Sequence, residues 1–237
     1  MENWMTEATI PGLVIIGLAA LLHATLQLGL GCAILLYHGS IDKRHITART
    51  NMLVSSFISG VGLAVFVLLA AICYLIINLG DLGPASYATL AAVLVMLALF
   101  TFGFYYRSPK STELWLPRPV ARFLDSRAHK TNNNTEAYLL GTMSVFGELV
   151  FALPLLILAG SAILTLSREL ELLGLAAYSV IVILPLVIFR LTIRDRGDLA
   201  TVQRFRKKSQ NFLKLTAVSG YLILAGFIIV FKVLEYI

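Results

Sequence analysis

The sequence predicts an all-α polytopic membrane protein: six transmembrane helices in a 3+3 inverted repeat, with both termini outside. Three observations predict it. Of the 237 residues, 58% are hydrophobic and only 14% charged, with a mean hydropathy of +0.85. An ordinary soluble domain is about 25% charged and about 45–50% apolar, and must keep a polar exterior. The apolar residues fall in six runs, each long enough to supply the roughly 20 residues needed to cross a hydrocarbon layer about 30 Å thick. The basic residues gather in alternate loops between those runs. A soluble enzyme, a disordered chain and a disulfide-stapled secreted domain are excluded.

The first run covers about Pro11 to Tyr37. Glu2 and Glu7 precede it where a cleaved signal would carry basic residues, and it is too long for a signal core, so it is read as a true span. The second covers about Met52 to Asn78, the third Ala88 to Tyr106, and the fourth Glu136 to Leu166. The fifth covers about Leu172 to Arg190 and the sixth Leu213 to Val233. Each is apolar on every face, whereas a barrel strand alternates over about 10 residues. In lipid only a helix or a closed barrel satisfies the backbone, so these are helices.

Charge sets the orientation. The loops His38–Asn51, Arg107–Thr135 and Arg190–Lys214 hold 17 of the 19 lysines and arginines. The opposite loops are short and carry Asp81, Glu169 and Glu171. The positive-inside rule puts the three basic loops in the cytoplasm and both termini outside. The net charge of +6 follows from that rule, and anionic lipid headgroups are its natural partners. No basic module with base-stacking aromatics is present, so nucleic acid is not a partner. Within the middle basic loop, Val120, Phe123 and Leu124 recur at helical spacing opposite Arg118, Arg122 and Asp125, which predicts an interfacial helix anchored by Trp115. Leu199, Val202 and Phe205 repeat the pattern before the sixth span. Asn133-Asn134-Thr135 matches a glycosylation pattern but falls on the cytoplasmic side, where that chemistry does not occur.

An offset of about 118 residues divides the chain into halves, residues 1–118 and 119–237, each with three spans. Leu21, Leu22 and Gly29 then fall on Leu139, Leu140 and Gly147. An odd number of spans per half inverts the second half in the membrane, the arrangement of many secondary transporters with sites at the repeat interface near midplane. Glycine-containing helix faces serve internal packing or a homodimer contact equally well.

Few ionisable residues lie deep in these spans. His23 lies near the middle of the first, with Gln27 one turn further on the same face. Glu148 lies near the middle of the fourth, with Ser144 one turn before it and Gly141 and Gly147 close by. A charged carboxylate at midplane costs at least about 2.5–3.5 kcal/mol on insertion scales, so such a group reads first as functional. Pro154 and Pro185 predict breaks in the fourth and fifth spans, and Tyr178 and Tyr221 offer hydroxyls nearby. The bland readings are a protonated Glu148 hydrogen-bonded to a neighbouring helix and a structurally satisfied His23. Cys32 and Cys73 differ by roughly 24 Å in depth at 1.5 Å per residue, too far for a disulfide. No Cys/His cluster with zinc spacing and no phosphate-binding glycine loop occurs, so neither a metal nor another cofactor is expected.

The two three-helix halves, with Leu22-His-Ala-Thr-Leu-Gln-Leu-Gly-Leu-Gly31 and Leu140-Gly-Thr-Met-Ser-Val-Phe-Gly-Glu148 in their first spans, resemble the LysE/CcdA-type superfamily of small membrane exporters and thiol-electron carriers. The resemblance covers most of the chain in architecture and implies a six-helix transporter. Its thiol carriers keep a cysteine in spans one and four; this chain has Cys32 but none in span four. Its metal exporters keep acids in both halves; here Glu148 has Leu30 as its repeat partner.

The expected function is a small secondary transporter or exporter of a small solute or cation, coupled to proton or cation movement, in a prokaryotic inner membrane. Glu148, His23, Gln27 and Ser144 would form its midplane polar site. The alternatives are a thiol-redox electron carrier using Cys32 or Cys73, and a non-transporting scaffold that binds partners through the basic loops. No nucleophile sits beside His23 and Glu148, so an enzyme is the least supported reading.

Overall fold

The computed structural model describes residues 2–26, 28–40, 48–80, 83–105, 118–193 and 196–233. Among them every regular element is a helix. Helices α1 (Glu2–Ala24) and α2 (Leu28–Ser40) flank a break and together provide a span, Ile10–Tyr37. Helix α3 (Ala48–Leu79) spans over Arg49–Leu79. Helix α4 (Pro84–Phe100) runs into a π-helical turn, Thr101–Tyr105. Helix α5 (Arg118–Lys130) is the amphipathic helix expected in the middle basic loop. Helices α6 (Asn134–Gly147) and α7 (Leu149–Ile163) meet at Glu148 with a bend of 81°. Helix α8 (Arg168–Thr192) is followed by the basic α9 (Arg196–Lys208), and α10 (Gln210–Ile228) ends in a second π-helical turn, Ile229–Val233. Five segments are singly long and apolar enough to cross a membrane, and α6 with α7, counted as one broken span, makes six.

Local chemistry explains the boundaries. Pro84 opens α4, where its missing N–H is no loss, and Gly80 turns the chain before it at a φ of 89° that a side chain would resist. Glu169 and Glu171 sit in the first turn of α8 and Arg190 in its last, matching the helix dipole. At the start of α6 the Asn133 side chain accepts the Glu136 N–H at 2.8 Å, and the Glu136 carboxylate accepts the Asn132 N–H at 2.9 Å. The Asn-Asn-Thr sequence is thus the start of a helix, capped reciprocally.

Packing places α7 at the centre. Ala152, Leu155, Leu156 and Ala159 are fully buried, whereas Leu63, Val67, Met96, Leu99 and Leu191 project outward from other spans. An apolar exterior of that extent suits a bilayer rather than water. Helix α3 packs on α6, α7 and α8, α4 on α10, and α1 on α7 and α8. The contact of α3 with α6 is backbone on backbone. A Cβ at Gly60 would strike the Tyr138 carbonyl oxygen, and one at Gly141 the Phe57 carbonyl oxygen. These two glycines allow α6 to lie flush against α3.

The structure moves the helix break. Pro154 lies inside continuous α7, and Pro185 inside continuous α8. The bend is six residues before Pro154, at the Gly147–Glu148 step. A proline frees one carbonyl but neighbouring helices can absorb that loss. The amphipathic α5 also turns its apolar side inward: Leu124 and Ala128 are buried, against α2 and α6. Arg118 and Arg122 belong to α5 by backbone, their side chains being outside the described residues, as are Trp115 and Gln27 entirely.

Candidate functional site

The two helix breaks meet. The first span leaves the helix at Thr25 and Leu26, the fourth bends at Glu148, and residues from both interruptions line one cavity of about 40 Å³. From the first span come His23, Ala24, Leu26, Gly29 and Leu30. From the fourth come Ser144, Val145 and Glu148. Val61 of α3 and Val182, Pro185 and Leu186 of α8 complete it. His23, Ser144 and Glu148, far apart in sequence, therefore share one chamber, with Pro185 in its wall.

Each polar group is held by its local structure. His23 sits in the last turn of α1 and is buried. Its Nδ1 lies 3.0 Å from the Tyr178 hydroxyl of α8, a buried hydrogen bond whose donor follows the imidazole tautomer. After it the chain leaves the helix: Leu26 N–H turns back to the His23 carbonyl at 3.0 Å, and the Thr25 hydroxyl donates to the Leu22 carbonyl at 2.7 Å. Ser144 donates to the Gly141 carbonyl at 2.7 Å, so its hydroxyl proton is already committed within α6. Tyr221 does not reach the cavity; its hydroxyl donates to the Phe151 carbonyl at 3.3 Å and ties α10 to α7.

Glu148 occupies the bend itself, at φ −100° and ψ 3°. Its backbone carbonyl accepts two N–H groups from the start of α7, from Phe151 at 2.9 Å and Ala152 at 3.0 Å. Its side chain does not cap that helix; it is buried and lines the cavity. The end of α6 and the start of α7 thus present helix-terminal backbone groups at the same depth as a carboxyl group. A negative charge at the start of α7 is favoured by the helix dipole.

Roughly 10–15 Å³ suffices for one water, so 40 Å³ holds on the order of one to three waters or one small cation. An organic solute needs the bundle to open. Among the described residues no three His, Cys, Asp or Glu side chains converge as a metal site would require. Neither Cys32 nor Cys73 forms a disulfide, and both thiols are buried; the Cys73 thiol lies 3.8 Å from the Gly160 carbonyl. Sequence reasoning named His23, Ser144, Glu148 and Tyr178 but gave no means of pairing His23 with Tyr178, 155 residues away. It missed that the first span is interrupted. The polar His-Ala-Thr-Leu-Gln stretch was the available signal.

No protein-family model matches the chain, and neither a curated protein nor a solved structure is significantly similar to it.

Proposed function

We propose that the protein is a small secondary transporter, an exporter of a small solute or cation coupled to proton or cation movement, with Glu148 as its titrating and binding group. The observation that carries this reading is the meeting of two broken spans at one chamber containing a carboxyl and an imidazole. Broken helices are tolerated in lipid where they line a cavity, and transporters use their ends to hold ions near midplane. A carboxyl there takes up and releases a proton, and its anion replaces part of a cation's hydration shell. The chamber's size favours a small cation or protons in this conformation.

An inverted repeat accounts for the arrangement. Each half begins with an interrupted span, and each ends its third span in a π-helical turn. Corresponding spans touch: α3 meets α8, and α4 meets α10. Leu30 and Glu148, equivalent at an offset of 118 residues, line the same chamber. Rocking of one half on the other would expose the chamber alternately to each side, with the termini outside and the basic loops inside.

The test is a flux assay with the purified full chain in liposomes loaded with a pH-sensitive dye. Under an imposed pH gradient, adding Na⁺, K⁺ or Mn²⁺ in turn is expected to dissipate the gradient for at least one ion. No protein-dependent flux with any of them, and none without added cation, would contradict the reading.

A further inference from the structure

A second cavity lies away from the midplane site. Where α5 turns into α6, a cleft of about 250 Å³ is lined by Arg127, Lys130, Thr131, Glu136, Leu139 and Met143, among others. That is below the roughly 300–1,000 Å³ of a drug-sized pocket, but ample for a phosphate ester group. Its two ends differ in chemistry. One carries the Arg127 and Lys130 side chains, both exposed. The other is the outer face of α6, where Leu139 is 51% and Met143 46% exposed.

We infer that this cleft binds the headgroup of an anionic phospholipid of the surrounding bilayer, with Arg127 and Lys130 on its phosphate and an acyl chain along Leu139 and Met143. Charge favours an anion. Glu136 is the acid in the lining, and its carboxylate is turned to the Asn132 N–H at 2.9 Å, leaving two cations against one engaged carboxylate. The helix that carries both cations is held in place, and the Arg127 side chain is itself positioned. Leu124 and Ala128 anchor α5 against the bundle, and the Arg127 guanidinium lies 5.6 Å over the Phe123 ring. The Arg49 guanidinium donates to the Asn132 carbonyl at 2.7 Å and braces the turn between α5 and α6, beside the cleft. The apolar wall selects a lipid over a soluble anion. Leu139 and Met143 are one turn apart on α6, which together with α7 is long and apolar enough to cross a membrane, so on that reading the cleft continues into the layer where acyl chains lie. A free phosphate would gain nothing from that wall.

The experiment uses the full chain purified in detergent and analysed by native mass spectrometry with short-chain phosphatidylglycerol, phosphatidylcholine or glycerol phosphate as probe. The wild type is expected to retain one phosphatidylglycerol in preference to phosphatidylcholine. Each basic side chain near an anionic lipid contributes about a fivefold factor, so Arg127→Gln with Lys130→Gln should weaken retention by about 25-fold. The charge-matched pair Arg204→Gln with Lys208→Gln on α9 should retain the lipid, as should Arg127→Lys with Lys130→Arg, which keeps the charges. Equal loss in the α5 and α9 pairs would mean diffuse attraction and overturn the site. Phosphatidylcholine bound as well as phosphatidylglycerol would overturn the headgroup assignment. Glycerol phosphate bound as tightly as the lipid would make it a site for a soluble anion.

Discussion

Adding one methyl group to Gly141 tests the packing that positions the site. In Gly141→Ala the new Cβ meets the Phe57 carbonyl oxygen, with the Phe57 carbonyl carbon and the Val61 nitrogen each 3.1 Å away. Ordinary contacts of a Cβ begin at 3.4 Å, and the atoms in the way are backbone, which cannot rotate aside. Helix α6 must therefore retreat from α3 by about 1 Å, a gap that forfeits a quarter to a half of the contact energy along the seam. Overpacking of this kind costs about 1–3 kcal/mol. Gly60→Ala meets the Tyr138 backbone on the same seam and should cost a similar amount. One retreat relieves both clashes, so the double variant should cost no more than about 1–3 kcal/mol, well below the sum. The assay is a reversible unfolding titration with a denaturing detergent in mixed micelles, followed by circular dichroism. Single variants within about 0.5 kcal/mol of wild type, or strictly additive costs, would refute the shared-seam reasoning. The functional readout is linked, because Glu148 directly follows the last residue of the same helix, about 10 Å beyond Gly141.

Two further expectations concern the chamber and its rivals. Tyr178→Phe removes the partner 3.0 Å from His23 Nδ1 and should cost about 0.6 kcal/mol, the average for interhelical hydrogen bonds in a membrane protein, and no more than about 1.7 kcal/mol; a double-mutant cycle with His23→Phe showing no coupling would deny the bond an energetic role. Cys32→Ala with Cys73→Ala should leave proteoliposome flux at the wild-type level, since both thiols are buried and neither lines the chamber; loss of flux in the folded variant would point to thiol chemistry.

The set of helices long and apolar enough to cross a membrane was legible because it rests on a one-dimensional quantity, the length of apolar runs between charges. Expected span starts at Pro11, Met52, Ala88, Glu136, Leu172 and Leu213 lie within four residues of those in the structure. The helices begin earlier because polar residues that cannot enter lipid still form good first turns, as Arg168, Glu169 and Glu171 do in α8. The position of the break was less legible. Proline at 154 was the obvious breaker, yet the bend sits where glycine precedes a buried acid, and a backbone interruption there leaves its polar groups beside a cavity. The interruption after Ala24, described at Thr25 and Leu26, carries neither glycine nor proline, so only the polar character of the stretch announced it. The convergence of His23, Ser144 and Glu148 followed only from their shared depth and polarity. Their actual meeting depends on α6 lying flush on α3, a contact fixed by Gly60 and Gly141. The second cavity was not legible at all. Arg127 and Lys130 read as two more loop cations until Leu124 and Ala128 turned α5 onto the bundle.

The most direct measurement compares flux and its pH dependence in proteoliposomes for wild type, Glu148→Gln and Glu148→Asp. A neutral side chain of the same size keeps the fold but removes the exchangeable proton and the charge. Glu148→Gln should lose flux about tenfold or more, the consequence of about 1.4 kcal/mol of lost ion stabilisation, and its residual flux should not vary with pH. Glu148→Asp should keep part of the flux and a pH dependence of its own. Wild-type flux with an unchanged pH profile in Glu148→Gln would contradict the assignment of this carboxyl as the working group.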